Sequence, residues 1–217
     1  MSVKIMIADD HAVVREGLRM ILESLEEITV VGEAVDGRDA IEKATRLKPD
    51  VIVMDISMPE LNGIEATRTI CERLPSARII MLSMHHTKEH VFRAIQAGAR
   101  GYLLKESAGA GVVKAVHAVM KGQTYFGPGV EAPEKLTASK KAMKASSPLE
   151  SLSRREREVL QHVVEGKTSA EIADILCLSP KSVETYRSRL MLKLNVTNVP
   201  SLVKYALLHG ITTSDNN

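Results

Sequence analysis

Tryptophan is absent from the 217-residue chain, and two phenylalanines and four tyrosines are its remaining large aromatics. So few rings argue against a surface that stacks single-stranded bases. Cysteine is scarce too: Cys71 and Cys177 lie far apart, form no CxxC pair, and read as reduced, packed thiols rather than ligands or a disulfide. No apolar stretch approaches the ~18 consecutive residues of a membrane span. The opening Met1-Ser2-Val3-Lys4-Ile5 lacks a signal-peptide pattern. A cytoplasmic protein without a membrane partner is therefore expected. Charge of one sign is also not in excess. Residues 1–127 carry 16 basic and 17 acidic side chains, residues 128–150 carry 4 and 3, and residues 151–217 carry 9 and 7. The last third is only mildly basic, so bulk charge alone does not establish nucleic-acid binding, and the arrangement of the charges must decide.

What is present is a regular pattern. With 44% hydrophobic and 26% charged residues, the chain suits one large domain or two small ones, and two is the better expectation. Short apolar runs predict strands at 4–8, 28–34, 51–55, 78–83 and 101–105. Amphipathic stretches predict helices at about 13–25, 37–47, 63–74, 87–97 and 108–121, with Pro49 and Pro75 as breakers. That is (βα)5, and right-handed crossovers turn such a repeat into a doubly wound α/β domain with a parallel sheet between helix layers.

The strand ends carry the chemistry. The first strand runs into Asp9-Asp10, the third ends in Asp55, the fourth in Ser83 and the fifth in Lys105. Open α/β sheets bind ligands at the carboxyl edge. Asp55 alone is as well explained as a helix cap or turn former, and so is Asp9-Asp10. Three carboxylates, a hydroxyl and an ammonium from four strands on one rim are harder to assign to chance. Converging carboxylates repel one another, and a hard divalent cation such as Mg²⁺ is the natural remedy. Lys105 and Ser83 would suit the far side of a phosphoryl group, with Asp55 as the candidate nucleophile. His85, His86 and His90 have a spacing that invites zinc, but no Cys or carboxylate set completes a site.

Asp9-Asp10, Asp55 with Met58-Pro59 and Gly63 behind it, Ser83, and Tyr102 with Lys105 together resemble the receiver domain of two-component response regulators, a flavodoxin-like fold, over residues 3 to about 122. The resemblance implies that Asp55 accepts a phosphoryl group from a sensor histidine kinase. It implies that Asp10, Asp55 and the Ser57 main-chain carbonyl bind Mg²⁺, with Asp9 helping through water, and that Lys105 contacts the phosphoryl oxygens. Ser83 and Tyr102 would form a switch pair that reshapes the face of the fourth helix, fifth strand and fifth helix. Ser57 and His85 occupy positions that, in receivers, flank the acyl phosphate. The receiver is expected to span 1–126.

Periodicity dissolves from 127 to 147, where Gly, Pro, Lys, Ala and Ser dominate. That segment reads as a linker, and Lys140, Lys141 and Lys144 read as solvated rather than DNA-bound. Beyond it, from 148 to 217, only helices are expected. Ser153 with Glu156 and Thr168 with Glu171 are capping boxes, and Ser179-Pro180 is an N-cap followed by proline at the first helical position. Helices at about 153–165, 168–176, 179–194 and 199–209 follow. The second and third, joined by a tight turn at Cys177-Leu178, have helix-turn-helix spacing. In the third, Val183, Tyr186, Leu190 and Leu194 fall on a core face, which leaves Lys181, Glu184, Thr185 and Ser188 outward with Arg187 and Arg189 at the flanks. Glu184, Thr185 and Ser188 suit base edges, and Lys181, Arg187 and Arg189 suit phosphates. The plain alternative is the solvated face of an ordinary helical bundle.

Leu152 to Leu160, Glu171-Ile172-Ala173, Ser182 to Tyr186 and Lys193-Leu194 resemble the LuxR-type helix-turn-helix domain over 148–213. With the receiver, the whole chain resembles the NarL/FixJ response regulators. This implies a regulator whose third carboxy-terminal helix reads promoter DNA, whose fourth packs a homodimer on phosphorylation, and whose two subunits bind inverted half-sites. Some members carry lysines where this chain has Glu184 and Ser188, so the recognised sequence does not transfer. The rival from another class is a phosphatase of the haloacid dehalogenase type, which also uses a strand-end aspartate but wants a second Asp where this chain has Ser57. A receiver whose helical output binds protein or RNA is a further alternative. A non-enzymatic regulator is expected.

Overall fold

The computed structural model describes residues 2–84, 87–132, 148–209 and 211, and the chain divides into two compact units, Met1–Pro133 and Glu134–Asn217. His85, His86, Lys140, Lys141 and Lys144 lie outside the described residues, as does most of the expected linker.

In the first unit the strands are β1 (Val3–Ala8), β2 (Ile28–Ala34), β3 (Val51–Asp55), β4 (Arg78–Ser83), β5 (Gly101–Leu104) and β6 (Tyr125–Phe126). They form one sheet in the order β2-β1-β3-β4-β5-β6, with every pair parallel. Helices α1 (Ala12–Glu23), α2 (Gly37–Leu47), α3 (Gly63–Arg73), α4 (Lys88–Ala97) and α5 (Ala108–Met120) connect them. Alternate strand residues enter opposite cores. Met6, Ala8, Ile52, Met54, Ile79, Met81 and Tyr102 pack with α2, α3 and α4, whereas Ile5, Ile7, Val51, Val53, Ile80, Leu82 and Leu103 pack with α1 and α5. Burial on both faces is why these strands read as unbroken apolar runs.

Two local differences from the sequence pattern appear. The sheet has a sixth strand, because Tyr125 and Phe126 pair with Gly101 and Tyr102. Two residues carry no alternation from which a strand could be predicted. Lys105 does not end β5 but opens a 3₁₀ turn, Lys105–Ser107, just beyond it.

The second unit is helical among its described residues: a 3₁₀ turn at Pro148–Ser151, then α6 (Arg154–Val164), α7 (Ser169–Leu176), α8 (Pro180–Leu194) and α9 (Val199–Leu208). Both capping boxes form. Ser153 accepts from the Glu156 N–H and Thr168 from the Glu171 N–H, with each glutamate returning to its cap. Cys177, left-handed at φ 53°, makes the turn between α7 and α8. Val159, Leu160, Ile172, Leu176, Val183, Leu190, Leu194, Leu202 and Ala206 close a separate core.

Candidate functional site

The chain winds from β1 to β2 on one side of the sheet and to β3 on the other, so the sheet's switch point falls between β1 and β3. Ala8 pairs with Met54, which delivers Asp9 beside Asp55. Asp9 and Asp55 are almost wholly buried and Asp10 is partly buried. Lys105 Nζ lies 2.8 Å from Asp55 Oδ2 and 2.9 Å from Asp9 Oδ2. Asp9, Asp10, His11 and Asp55 each bring a ligand atom within 4.8 Å of the others.

Electrostatics follow from this crowding. Burial first, and then the neighbouring Asp9 charge, push the Asp55 carboxyl up to about 6, against the opposing pull of Lys105. Burial works to lower the Lys105 ammonium, but Asp55 and Asp9 hold it above its ordinary value. Asp9 Oδ2 and Asp10 Oδ1 are buried and accept no hydrogen bond of normal geometry, although Lys105 Nζ and His11 Nδ1 stand 2.9 and 2.8 Å away. Under-satisfied carboxylate oxygens on a shared rim are the donor set that a hard divalent cation takes, so the residues present fit Mg²⁺.

Local structure explains the placement. The Gly63 N–H donates to the Ile56 carbonyl at 2.8 Å, and a Cβ on Gly63 would stand 1.9 Å from the Asp55 carbonyl oxygen. Only glycine lets α3 begin so close to the end of β3. Ser57 sits half-buried in the intervening loop. Ser83 ends β4 and is buried, and Tyr102 is fully buried in β5. Burial pushes the Tyr102 hydroxyl up to about 12, against the pull of its hydrogen bond with Ser83.

Two contributors escaped the sequence pattern. His11 joins the carboxylates, its backbone N–H donating to Asp9 Oδ1 at 2.9 Å; the polar run Asp9-Asp10-His11 was the available signal. Arg15 donates through Nη1 to the Asp9 carbonyl at 2.8 Å and through Nε to Glu33 at 3.0 Å. Glu33 lies on β2, 18 residues further along, so no short-range pattern connects the two. A hydrogen bond from Arg19 is the main cause that holds the Glu33 carboxyl below its ordinary range.

In the second unit, α8 presents Lys181, Glu184, Thr185, Ser188 and Arg189 to solvent, while Arg187 is partly covered and Val183, Leu190 and Leu194 are buried. Tyr186 is half-buried against the same core. The Thr185 hydroxyl donates back to the Lys181 carbonyl at 2.9 Å. Lys193, in the last turn of α8, donates to Glu156 Oε2 at 2.7 Å and to the Ser151 carbonyl at 3.1 Å. That contact ties the end of the helix to the start of α6.

Residues 5–117 match the response regulator receiver domain, and residues 150–206 match the bacterial regulatory proteins of the luxR family. The oxygen regulatory protein NreC of Staphylococcus carnosus is 39% identical over 215 residues, covering 94% of this chain and 96% of that protein. The response regulator UvrY of Escherichia coli is 38% identical over 213 residues, covering 98% and 97%. Among solved structures, the complex of the response regulator RcsB with DNA aligns at a TM-score of 0.65 with 30% identity, over 94% of this chain and 98% of that one. A LuxR-family response regulator from Aurantimonas aligns at 0.57 with 38% identity, over 59% and 91%. The chain belongs to the NarL/FixJ family of two-component response regulators, with a receiver domain followed by a LuxR-type helix-turn-helix DNA-binding domain.

Proposed function

We propose that Asp55 is the phosphoacceptor of this regulator, that a sensor histidine kinase supplies the phosphoryl group, and that phosphorylation switches dimerisation and promoter binding. The observation that carries this reading is the Asp55 carboxylate, buried at the end of the central strand and 2.8 Å from the Lys105 ammonium, with Asp9 and Asp10 alongside. An Asp55 carboxylate oxygen forms the bond to phosphorus as the bond from phosphorus to the kinase's histidine nitrogen breaks, and the imidazole leaves. Lys105 turns to the phosphoryl oxygens and offsets their charge. Mg²⁺, held by Asp10, Asp55 and the Ser57 carbonyl with Asp9 acting through water, would neutralise the charge that carboxylates and phosphoryl oxygens gather there.

The Ser83 hydroxyl, now shared with Tyr102, moves toward the new phosphoryl group. The face of α4, β5 and α5 changes with it, which makes the pair a two-state element biased by added charge. The output assigned to the second unit is double-stranded promoter DNA, met by the face of α8 that carries Lys181, Glu184, Thr185, Arg187, Ser188 and Arg189. Dimerisation is assigned to α9, whose Leu208 is 67% exposed. We place the receiver at 1–126, the linker at 127–147 and the DNA-binding domain at 148–217, and assign the protein to the cytoplasm. Supporting that last assignment, no helix among the described residues is long and apolar enough to cross a membrane.

The test treats the full chain with a small phosphodonor and Mg²⁺, then measures mass, oligomeric state and binding to genomic DNA. Wild type should gain one phosphoryl group, dimerise and bind more tightly, and Asp55→Asn should do none of these. An Asp55→Asn chain that gains the same mass, or that dimerises and binds as tightly as phosphorylated wild type, defeats the reading.

A further inference from the structure

Glu184 stands where a carboxylate on a reading helix could meet a base edge, yet its side chain is already engaged within the domain. Ser169, the first residue of α7, donates its hydroxyl to Glu184 Oε1. Arg187 Nη1 donates to the same Glu184 oxygen at 3.3 Å and to Ser169 Oγ at 3.2 Å. These three side chains close a ring between the two helices of the helix-turn-helix. The ring occupies Nη1 of the guanidinium and leaves Nε and Nη2 without an acceptor among the described residues. That free edge is one that grips a phosphate through two parallel hydrogen bonds.

Position decides which acceptor it meets. Arg187 is 25% exposed at the flank of α8 and touches the first residue of α7. In a helix-turn-helix the second helix enters the major groove while the first crosses the DNA backbone. A guanidinium tethered to the start of the first helix therefore lies on the backbone side, not over the base edges.

We propose that Glu184 is a positioning residue rather than a base reader: with Ser169 it holds Arg187 so that the Nε and Nη2 edge meets a backbone phosphate of bound DNA. The inference rests on α8 being the DNA-reading helix. An unbraced arginine surrenders its rotamer freedom at the moment of binding, and a braced one has already surrendered it.

Charge alone gives the opposite sign, because removing a carboxylate near DNA relieves repulsion and tightens binding to every sequence. The test uses the full-length chain and duplexes that wild type selects from a random pool, together with their single-base-pair variants. Glu184→Ala and Ser169→Ala should each weaken binding about 3- to 10-fold on every duplex. Neither should cause further loss when added to Arg187→Ala. Arg187→Ala itself should lower the slope of log affinity against log salt by about 1 per subunit without altering base preference. Unchanged or tighter binding by Glu184→Ala, or a change in preference at one base pair in Glu184→Ala or Arg187→Ala, overturns the proposal. Circular dichroism of each variant confirms that its helices are intact. If wild type selects no duplex even at low salt, the DNA-reading role of α8 fails instead, and the brace with it.

Discussion

At the scale of single residues, Asp55 shows how burial sets a carboxyl's titration and, through it, stability. Its carboxyl has an ordinary value of 3.8 and is raised to about 6, chiefly by burial and then by Asp9. Between those two values the folded chain keeps a proton that the unfolded chain releases. The stability this proton confers is complete below about 3.8 and is lost as pH rises through about 6. Above that range the fold must carry a buried carboxylate beside Asp9. Asp55→Asn, neutral at every pH, should therefore raise stability by about 1–3 kcal/mol at pH 7.5 in the presence of a chelator. The gain should vanish near pH 4, as urea titrations at the two pH values would show. Equal stability of the two proteins at pH 7.5 would count against the burial cost. Arg15 works on the same rim through backbone: its bond to the Asp9 carbonyl and its pairing with Glu33 fix the β1–α1 connection. The Arg15–Glu33 pair was not legible, because side chains 18 positions apart become neighbours only when β2 lies beside β1.

At the scale of elements, helix starts were the most legible feature, since a cap and the N–H it accepts from lie within three residues. Asp36, Asn62, Thr87, Ser153, Thr168, Ser179 and Asn198 all cap as oxygen acceptors. What caps do not announce is how closely one element approaches another. Gly63 reads in sequence only as part of the motif behind Asp55, yet its Cα faces the Asp55 carbonyl oxygen so closely that a methyl group has no room. Gly63→Ala should cost the receiver about 3 kcal/mol through displacement of α3 from the end of β3. A urea midpoint shifted by the equivalent of less than about 1 kcal/mol would show that the contact yields easily. In the second unit, Lys193 and Glu156 lie 37 residues apart and join the last turn of α8 to the first turn of α6. Burial works to raise the Glu156 carboxyl, but the Lys193 hydrogen bond and the Ser153 cap hold it below its ordinary range. Lys193→Met leaves that nearly buried carboxylate without its cation and should cost the DNA-binding unit about 1–2 kcal/mol. Its thermal unfolding, followed by helix signal, is the measure, and an unchanged transition would show that the tie contributes nothing.

At the scale of the whole molecule, two small units with separate cores divide input from output. A regulator that joins two weakly bound half-sites gains affinity from the joining itself. The phosphorylated chain should bind an inverted pair of half-sites at least ~10-fold more tightly than one half-site. Inserting about 5 base pairs, half a helical turn, between them should erase most of that advantage by turning the second site away. Equal affinity for the single and paired sites would argue for action as a monomer. The order of the first five strands and of the helices, the carboxylates at strand ends and the solvent-facing side of α8 were all determined by the sequence alone. Each depends on periodicity or on neighbours within a few residues, and such signals survive without a fold. Tertiary structure alone decided that Asp9 and Asp55 share Lys105, that Arg15 holds the Asp9 carbonyl, that Tyr125 and Phe126 add a sixth strand, and that Glu184 is bound to Ser169 and Arg187. Most of these contacts join side chains or strands distant in the chain, and those partners are chosen by the packing of elements across the sheet and the helical core, which no local pattern encodes.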